Sequence, residues 1–168
     1  MKTALFPGSF DPITLGHINL IERALSVFDS LTILIAESAD KKALFTVKER
    51  IEMIQNACKS YKNISVDVTH GLLVEYAHKK KSSAIIRGLR ATSDFEYEFQ
   101  MAAMNKKLNP HVETFFMMTG ESFYYVSSRA IKEVASHGGS IAGFVPKNVE
   151  KKLKEKFSHA YRGTSRSS

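Results

Sequence analysis

The sequence predicts an α/β fold: a doubly wound sheet of five parallel strands with helices on both faces. Two observations predict it. Short apolar runs of strand length alternate with longer amphipathic segments through most of the chain, the pattern of repeated β–α–β units. The run Leu31–Ala36 is rich in β-branched residues and continuous enough to be buried on both faces.

The elements follow in order. Thr3–Phe6 reads as the first strand, and a Gly/Pro/Asp loop then leads into a helix from about Gly16 to Phe28. Leu31–Ala36 is the second strand. Thr46 and Glu49 have the spacing of a capping box, and Ile51, Ile54 and Cys58 follow at helical spacing. Ile64–Val68 gives the third strand, Leu73–Lys80 a short helix and Ala84–Arg87 the fourth strand. A second capping box, Ser93 to Glu96, opens a helix that stops near Asn109-Pro110, and Val112–Met117 is the fifth strand. Ser127 or Ser128 caps a helix running to His137 and ended by Gly138-Gly139, and a last helix spans about Asn148 to Phe157. The plan is Rossmann-like, a single domain over 1–158, with 159–168 expected to be a disordered polar tail. In such sheets ligands bind beyond the carboxyl ends of the strands, where strand order reverses.

Composition narrows the function classes. The longest apolar runs are far too short to cross a bilayer, and the N-terminus lacks the apolar centre of a signal peptide. Cys58 is the single cysteine of 168 residues, which excludes an intrachain disulfide and fits a reducing cytoplasm. On the apolar stripe of its helix it reads as packing, not as a nucleophile. The net charge is +7, but residues 147–168 hold seven Lys/Arg and two Glu. The body is therefore nearly balanced, and a nucleic-acid partner, which needs a basic stripe with interleaved aromatics, is not expected. The histidines lack zinc spacing.

Polar residues collect where the crevice should lie. The first loop reads Pro7-Gly8-Ser9-Phe10-Asp11-Pro12-Ile13-Thr14-Leu15-Gly16-His17. Gly8 permits close backbone approach, Ser9 offers a hydroxyl, and His17 opens a helix whose free N–H groups suit a phosphate. Arg87 and Arg90 directly follow an apolar strand, and Lys41 or Lys42 follows the second. Such cations suit anionic reactants. Lys42 and the run Lys79–Lys81 read as solvated surface charge, and Phe95 and Tyr97 as packing residues.

The first loop resembles the T/SxGH signature of the nucleotidyltransferase superfamily related to class I aminoacyl-tRNA synthetases. Arg87-Gly-Leu-Arg-Ala-Thr-Ser-Asp-Phe-Glu-Tyr-Glu98 resembles the RGLR…DFEYE segment of bacterial phosphopantetheine adenylyltransferases, and Val126-Ser-Ser-Arg-Ala-Ile-Lys-Glu-Val134 resembles their ISSS…KEV segment. The likeness runs in order from about Thr3 to Leu153. It implies transfer of AMP from ATP to 4′-phosphopantetheine, giving dephospho-coenzyme A and pyrophosphate. It also implies roles. Ser9, Lys41, Leu73 and Arg87 would meet phosphopantetheine. Ser9, Phe10 through its N–H, His17, Gly88, Leu89, Arg90, Glu98 and the stretch Phe123, Tyr124, Tyr125, Val126, Ser127, Ser128 and Arg129 would meet ATP. His17, Lys41, Arg90 and Ser128 would carry catalysis.

The substrate phosphate is already an anionic nucleophile, so the resemblance asks the enzyme for positioning and charge stabilisation, with Mg²⁺ bridging the triphosphate. It further implies a homohexamer; feedback by coenzyme A is left open by the sequence. Three positions depart from the usual pattern: Ser9 for threonine, Leu15 for asparagine, and Arg129 for a third small hydroxyl residue. The segments 87–98 and 127–132 argue against the related cytidylyl and nicotinamide-mononucleotide transferases, which have their own versions of these regions.

Overall fold

The computed structural model describes residues 2–37, 42–82, 84–90 and 92–164, with the backbone alone at 92, 93 and 162–164. Strands β1 (Thr3–Gly8), β2 (Ser30–Ala36), β3 (Ile64–Thr69), β4 (Ala84–Leu89) and β5 (Glu113–Met118) form one sheet in the order β3-β2-β1-β4-β5. Every pairing is parallel. The connections are helices α1 (Leu15–Leu25), α2 (Val47–Ala57), α3 (Leu73–Lys79) and α4 (Thr92–Leu108); α5 (Ser128–Ser136), α6 (Lys147–Lys156) and α7 (Ser158–Thr164) follow β5. The expected fold is present, and strand order reverses between β1 and β4.

Local chemistry places the helix ends. Thr46 caps α2 by accepting from Glu49 N at 3.2 Å, and Glu49 returns the bond by accepting from Thr46 N at 2.8 Å. Helix α1 has the same device with an unusual partner: Thr14 is the N-cap, and the Nδ1 of His17 accepts from Thr14 N at 3.0 Å. Ser127 caps α5. The box expected at Ser93 falls on a side chain outside the described residues, as does Lys41.

The period-two alternation of the strands sorts their side chains onto two unequal faces. One face presents Ala4, Phe6, Leu31, Ile33, Ile35 and Ile86 to Leu20 and Ile21 of α1, Met53 and Ile54 of α2, Ile131 of α5 and Leu153 of α6. The other presents Leu5, Leu34 and Ile85 to Ala77 of α3 and to Val112. Cys58 is buried in the larger cluster, and burial raises its thiol to about 11, which leaves it protonated.

Two expectations change. The start of the supposed tail is helical, because α7 runs to Thr164 and Tyr161 donates from its hydroxyl to Gly139 O at 2.9 Å. The Lys154 ammonium also lies over the Tyr161 ring. Tyr97 is 64% exposed, not packed, and Phe95, Phe99, Met101, Met104 and Leu108 of the same helix are exposed too. Among the described residues no helix is long and apolar enough to cross a membrane.

Candidate active site

The sheet opens where its order reverses. β1 pairs with β2 over six positions and β4 with β5 over six, but among the described residues β1 and β4 pair only at Ala4↔Ala84 and Leu5↔Ile85. Beyond Leu5 the two strands part, and a crevice of about 860 Å³ fills the space at their carboxyl ends. Its cationic side chains are Lys42, Arg50, Arg87, Arg90, Arg129 and Lys132, against the carboxylates of Asp11, Glu37, Asp94 and Glu98. The surplus of positive charge suits ligands with several negative charges.

The loop from Pro7 to Thr14 forms the floor, and side chains from distant elements hold its backbone. Arg87 donates to Pro7 O at 2.8 Å, Arg50 to Ser9 O at 3.0 Å, and the Ser128 hydroxyl to Pro12 O at 2.7 Å. Asp11, buried, accepts from Leu44 N at 3.0 Å, Phe45 N at 2.9 Å and the Lys132 ammonium at 2.6 Å. Burial alone would raise the Asp11 carboxyl, but the Lys132 bond and the two backbone N–H bonds outweigh it and hold it below its ordinary value. Phe10 sits in the left-handed region at φ 45°, a strained conformation for a side chain of its size. Its buried ring lies against Gly8, where an added Cβ would come within 3.1 Å of it.

His17 is the second feature of the floor. Burial, aided by the nearby Arg90 charge, lowers its pKa to about 4, so the ring is neutral at physiological pH. Because Nδ1 accepts from Thr14 N, the proton of the neutral ring belongs on Nε2. His17 is thereby fixed as a hydrogen-bond donor by the cap of its own helix. Phe10 and Phe6 meet its ring edge-to-face, with centroids 5.1 Å and 6.2 Å away.

Strand β4 and helix α4 build the opposite wall. Arg87 is gripped by Glu98 through two bonds, Nε to Oε2 at 2.6 Å and Nη2 to Oε1 at 2.5 Å. It also lines a smaller cavity of about 120 Å³ with Leu73, Tyr97, Glu98, Met101, Ala102, Asn105 and Thr114. Arg90 is held on Asp94 by Nε at 3.2 Å and stays 40% exposed. Gly88 has a packing cause: an added Cβ would lie 2.3 Å from Leu20 Cδ1 in the buried seam with α1.

The start of α5 closes the site. Ser127 Oγ accepts from Ala130 N at 3.1 Å, which leaves its hydroxyl proton available. Ser128 spends its proton on Pro12, so what it can offer an anion is its N–H at the helix start. Arg129 is exposed at the rim.

Of the sequence-derived residues, the crevice brings together Ser9, Phe10, His17, Arg87, Gly88, Arg90, Glu98, Val126, Ser127, Ser128 and Arg129. Leu73 lies in the smaller cavity, joined to the crevice through Arg87 and Glu98. Leu89 is buried and outside the lining. Phe123, Tyr124 and Tyr125 are outside it too. A 3₁₀ turn over Glu121–Phe123 turns this stretch away, and the exposed Tyr125 meets Phe144 edge-to-face. Lys42, read as surface charge, lines the crevice, as do Asp11, Glu37, Arg50, Asp94 and Lys132, to which the sequence reading gave no role. Arg50 had a visible signal, since it shares the buried face of α2 with Met53 and Ile54.

Residues 5–134 match the model of the cytidylyltransferase-like family. The chain is 54% identical over 156 residues to the phosphopantetheine adenylyltransferase of Syntrophus aciditrophicus, covering 93% of this chain and 94% of that protein. It is likewise 54% identical over 157 residues to that of Carboxydothermus hydrogenoformans, covering 94% and 97%. Among solved structures, a putative nicotinate-nucleotide adenylyltransferase from Vibrio parahaemolyticus superposes with a TM-score of 0.65 at 19% identity. That match covers 91% of this chain and 99% of the other, and at that identity it speaks for the fold alone.

Proposed function

The chain belongs to the phosphopantetheine adenylyltransferases, within the cytidylyltransferase-like family, and from that premise we propose how its crevice works. The reaction transfers AMP from ATP to 4′-phosphopantetheine, giving dephospho-coenzyme A and pyrophosphate. One observation supports this placement above the others. A single crevice at the strand-order reversal carries a neutral histidine donor, a helix start and a surplus of cations.

ATP takes the side of His17, Arg90 and the start of α5, with Nε2–H of His17 donating to the α-phosphate. Arg129 and the free N–H groups of Ser127 and Ser128 face the β- and γ-phosphates. The phosphate of phosphopantetheine lies toward Ser9, Arg87 and the lysines after β2, and its arm runs past Arg87 into the cavity of Leu73, while the Phe10 N–H faces the ATP phosphates. A terminal phosphate oxygen then attacks the α-phosphorus in line. One P–O bond forms, and the bond to the oxygen bridging to the β-phosphorus breaks, so pyrophosphate leaves with the electron pair. No side chain need act as nucleophile, and His17 needs no proton exchange to stabilise the charge.

The four crevice carboxylates are each paired, Asp11 with Lys132, Glu37 with Arg50, Asp94 with Arg90 and Glu98 with Arg87. Among the described residues none is left over as a metal ligand, and we propose that Mg²⁺ enters on the triphosphate as part of the substrate. The exposed apolar side chains of α4, together with Phe115 and Met118 of β5, support self-association, and we propose the homohexamer that the family resemblance implies. Coenzyme A, which shares the pantetheine arm, is proposed to compete for the smaller cavity. A reducing cytoplasm is the proposed location, in keeping with the buried thiol of Cys58.

The test is pyrophosphate release from ATP with and without 4′-phosphopantetheine, in wild type and His17→Ala. Release should require phosphopantetheine and fall by about 10²–10³ in kcat in the variant. Release with a different phosphorylated acceptor only would leave the superfamily standing and replace the substrate.

A further inference from the structure

We propose that Arg50 is a positioning residue for the first loop: held by Glu37, its guanidinium fixes the Ser9 carbonyl and so sets the direction of the Phe10 N–H. Arg50 stands on α2, 41 residues from Ser9, with a side chain only 4% exposed. Its Nη1 donates to Ser9 O at 3.0 Å and its Nη2 to Glu37 Oε1 at 2.8 Å. Its Nε is buried without a partner among the described residues. A buried arginine with an unmatched N–H is not the arrangement that packing alone would favour. What it achieves is local. The Ser9–Phe10 peptide is planar and trans, so its carbonyl and N–H point in opposite directions. Anchoring Ser9 O on Arg50 turns the Phe10 N–H away from Arg50, and that N–H is the group assigned above to an incoming phosphate. The proposal rests on that reading.

The fork of an arginine matters here because one planar group must serve two acceptors in different directions. Glu37 sits at the end of β2, where it also lies 3.3 Å from the exposed His70. Its carboxylate would repel an anionic substrate if left alone, but Arg50 occupies one of its oxygens. Thus one pair both orients the loop and neutralises a carboxylate in the crevice.

The experiment measures binding of α,β-methylene-ATP by calorimetry, together with turnover, in wild type and in Arg50→Lys, Glu37→Ala, Glu37→Gln and His17→Ala. Arg50→Lys keeps the charge and most of the stem but cannot reach both acceptors. It should weaken the analogue by about tenfold and lower kcat/KM by about 100-fold, the scale of an ångström misplacement, with the binding stoichiometry kept. Glu37→Ala should follow it, because Arg50 is released, whereas Glu37→Gln keeps an acceptor and should retain more affinity than Glu37→Ala. If Arg50→Lys and Glu37→Ala lower only the stoichiometry or the Tm, with unchanged Kd in the binding fraction, Arg50 is merely structural and the proposal is overturned. Equal losses in the two Glu37 variants would overturn its orienting part. If His17→Ala also binds like wild type, it is the underlying placement of ATP that fails.

Discussion

On the β2 side of the crevice, charged groups are buried and grip backbone. Asp11 holds two N–H groups of the segment before α2 and the Lys132 ammonium, and Arg50 holds a carbonyl of the first loop. On the β4 side, Arg87 and Arg90 are 30% and 40% exposed, and each is gripped by a carboxylate of α4. Both walls carry ion pairs, but the first adds three contacts from buried side chains to backbone and the second a single half-exposed one, from Arg87 to Pro7 O. The difference follows from coverage. Four helices cover one sheet face, whereas the other has a small core and exposed apolar side chains on α4. Burial makes a charge–dipole contact strong and costly to leave unmade, so the well-covered side holds backbone through buried charges, while the open side relies on half-exposed ion pairs with the single Arg87 bond to Pro7 O.

Asp11→Ala is the strongest way to break this contrast. It strands Lys132 and two backbone N–H groups, and should cost about 3 kcal/mol of stability in urea unfolding. Glu98→Ala removes a two-bond partner from Arg87, but Pro7 O remains and water reaches the guanidinium. Its cost should be about 1.5 kcal/mol, with a rise in KM for phosphopantetheine larger than that for ATP. A Glu98 variant that is the more damaging of the two to stability would reverse the assignment of the walls. Thr46→Ala removes a cap on the far side of the β2 wall. About 1 kcal/mol of stability should go while kcat stays within twofold.

A last effect concerns pH. His17 titrates near 4 in the fold and near 6.5 unfolded, so the unfolded chain binds more protons between those values. Stability from this group is complete above the higher value and is lost as pH falls towards the lower one. The Tm of wild type should therefore drop more between pH 7 and pH 5 than that of His17→Gln. Parallel curves would mean that His17 is not held neutral.

The strands and most helix boundaries were legible because their causes are local. Strand patterning, the Thr46–Glu49 box and the glycines after α5 act within a few residues of one another. Ser9, His17, Arg87 and Ser127 could be singled out because each falls just after, or at the end of, a strand or at a helix start. What could not be read were relations across the fold. Lys132 and Asp11 are 121 residues apart, and nothing in either neighbourhood names the other. The Ser128 hydroxyl donates to Pro12 O, 116 residues away, and Lys42, which reads as surface charge, lines the crevice. Arg90 and Asp94 are the exception, a helix-spaced pair four residues apart that sequence could have joined.

The sequence by itself therefore determined the fold class and the strand order's consequence, a crevice at the strands' carboxyl ends, since periodicity and turn chemistry are short-range properties. Tertiary structure alone decided which distant charges neutralise each other, that His17 is buried and so neutral, and which loop carbonyls are turned away from the ligand. Those depend on distances and burial between segments far apart in the chain, and Coulomb and hydrogen-bond energies are set by distance in space, not separation in sequence.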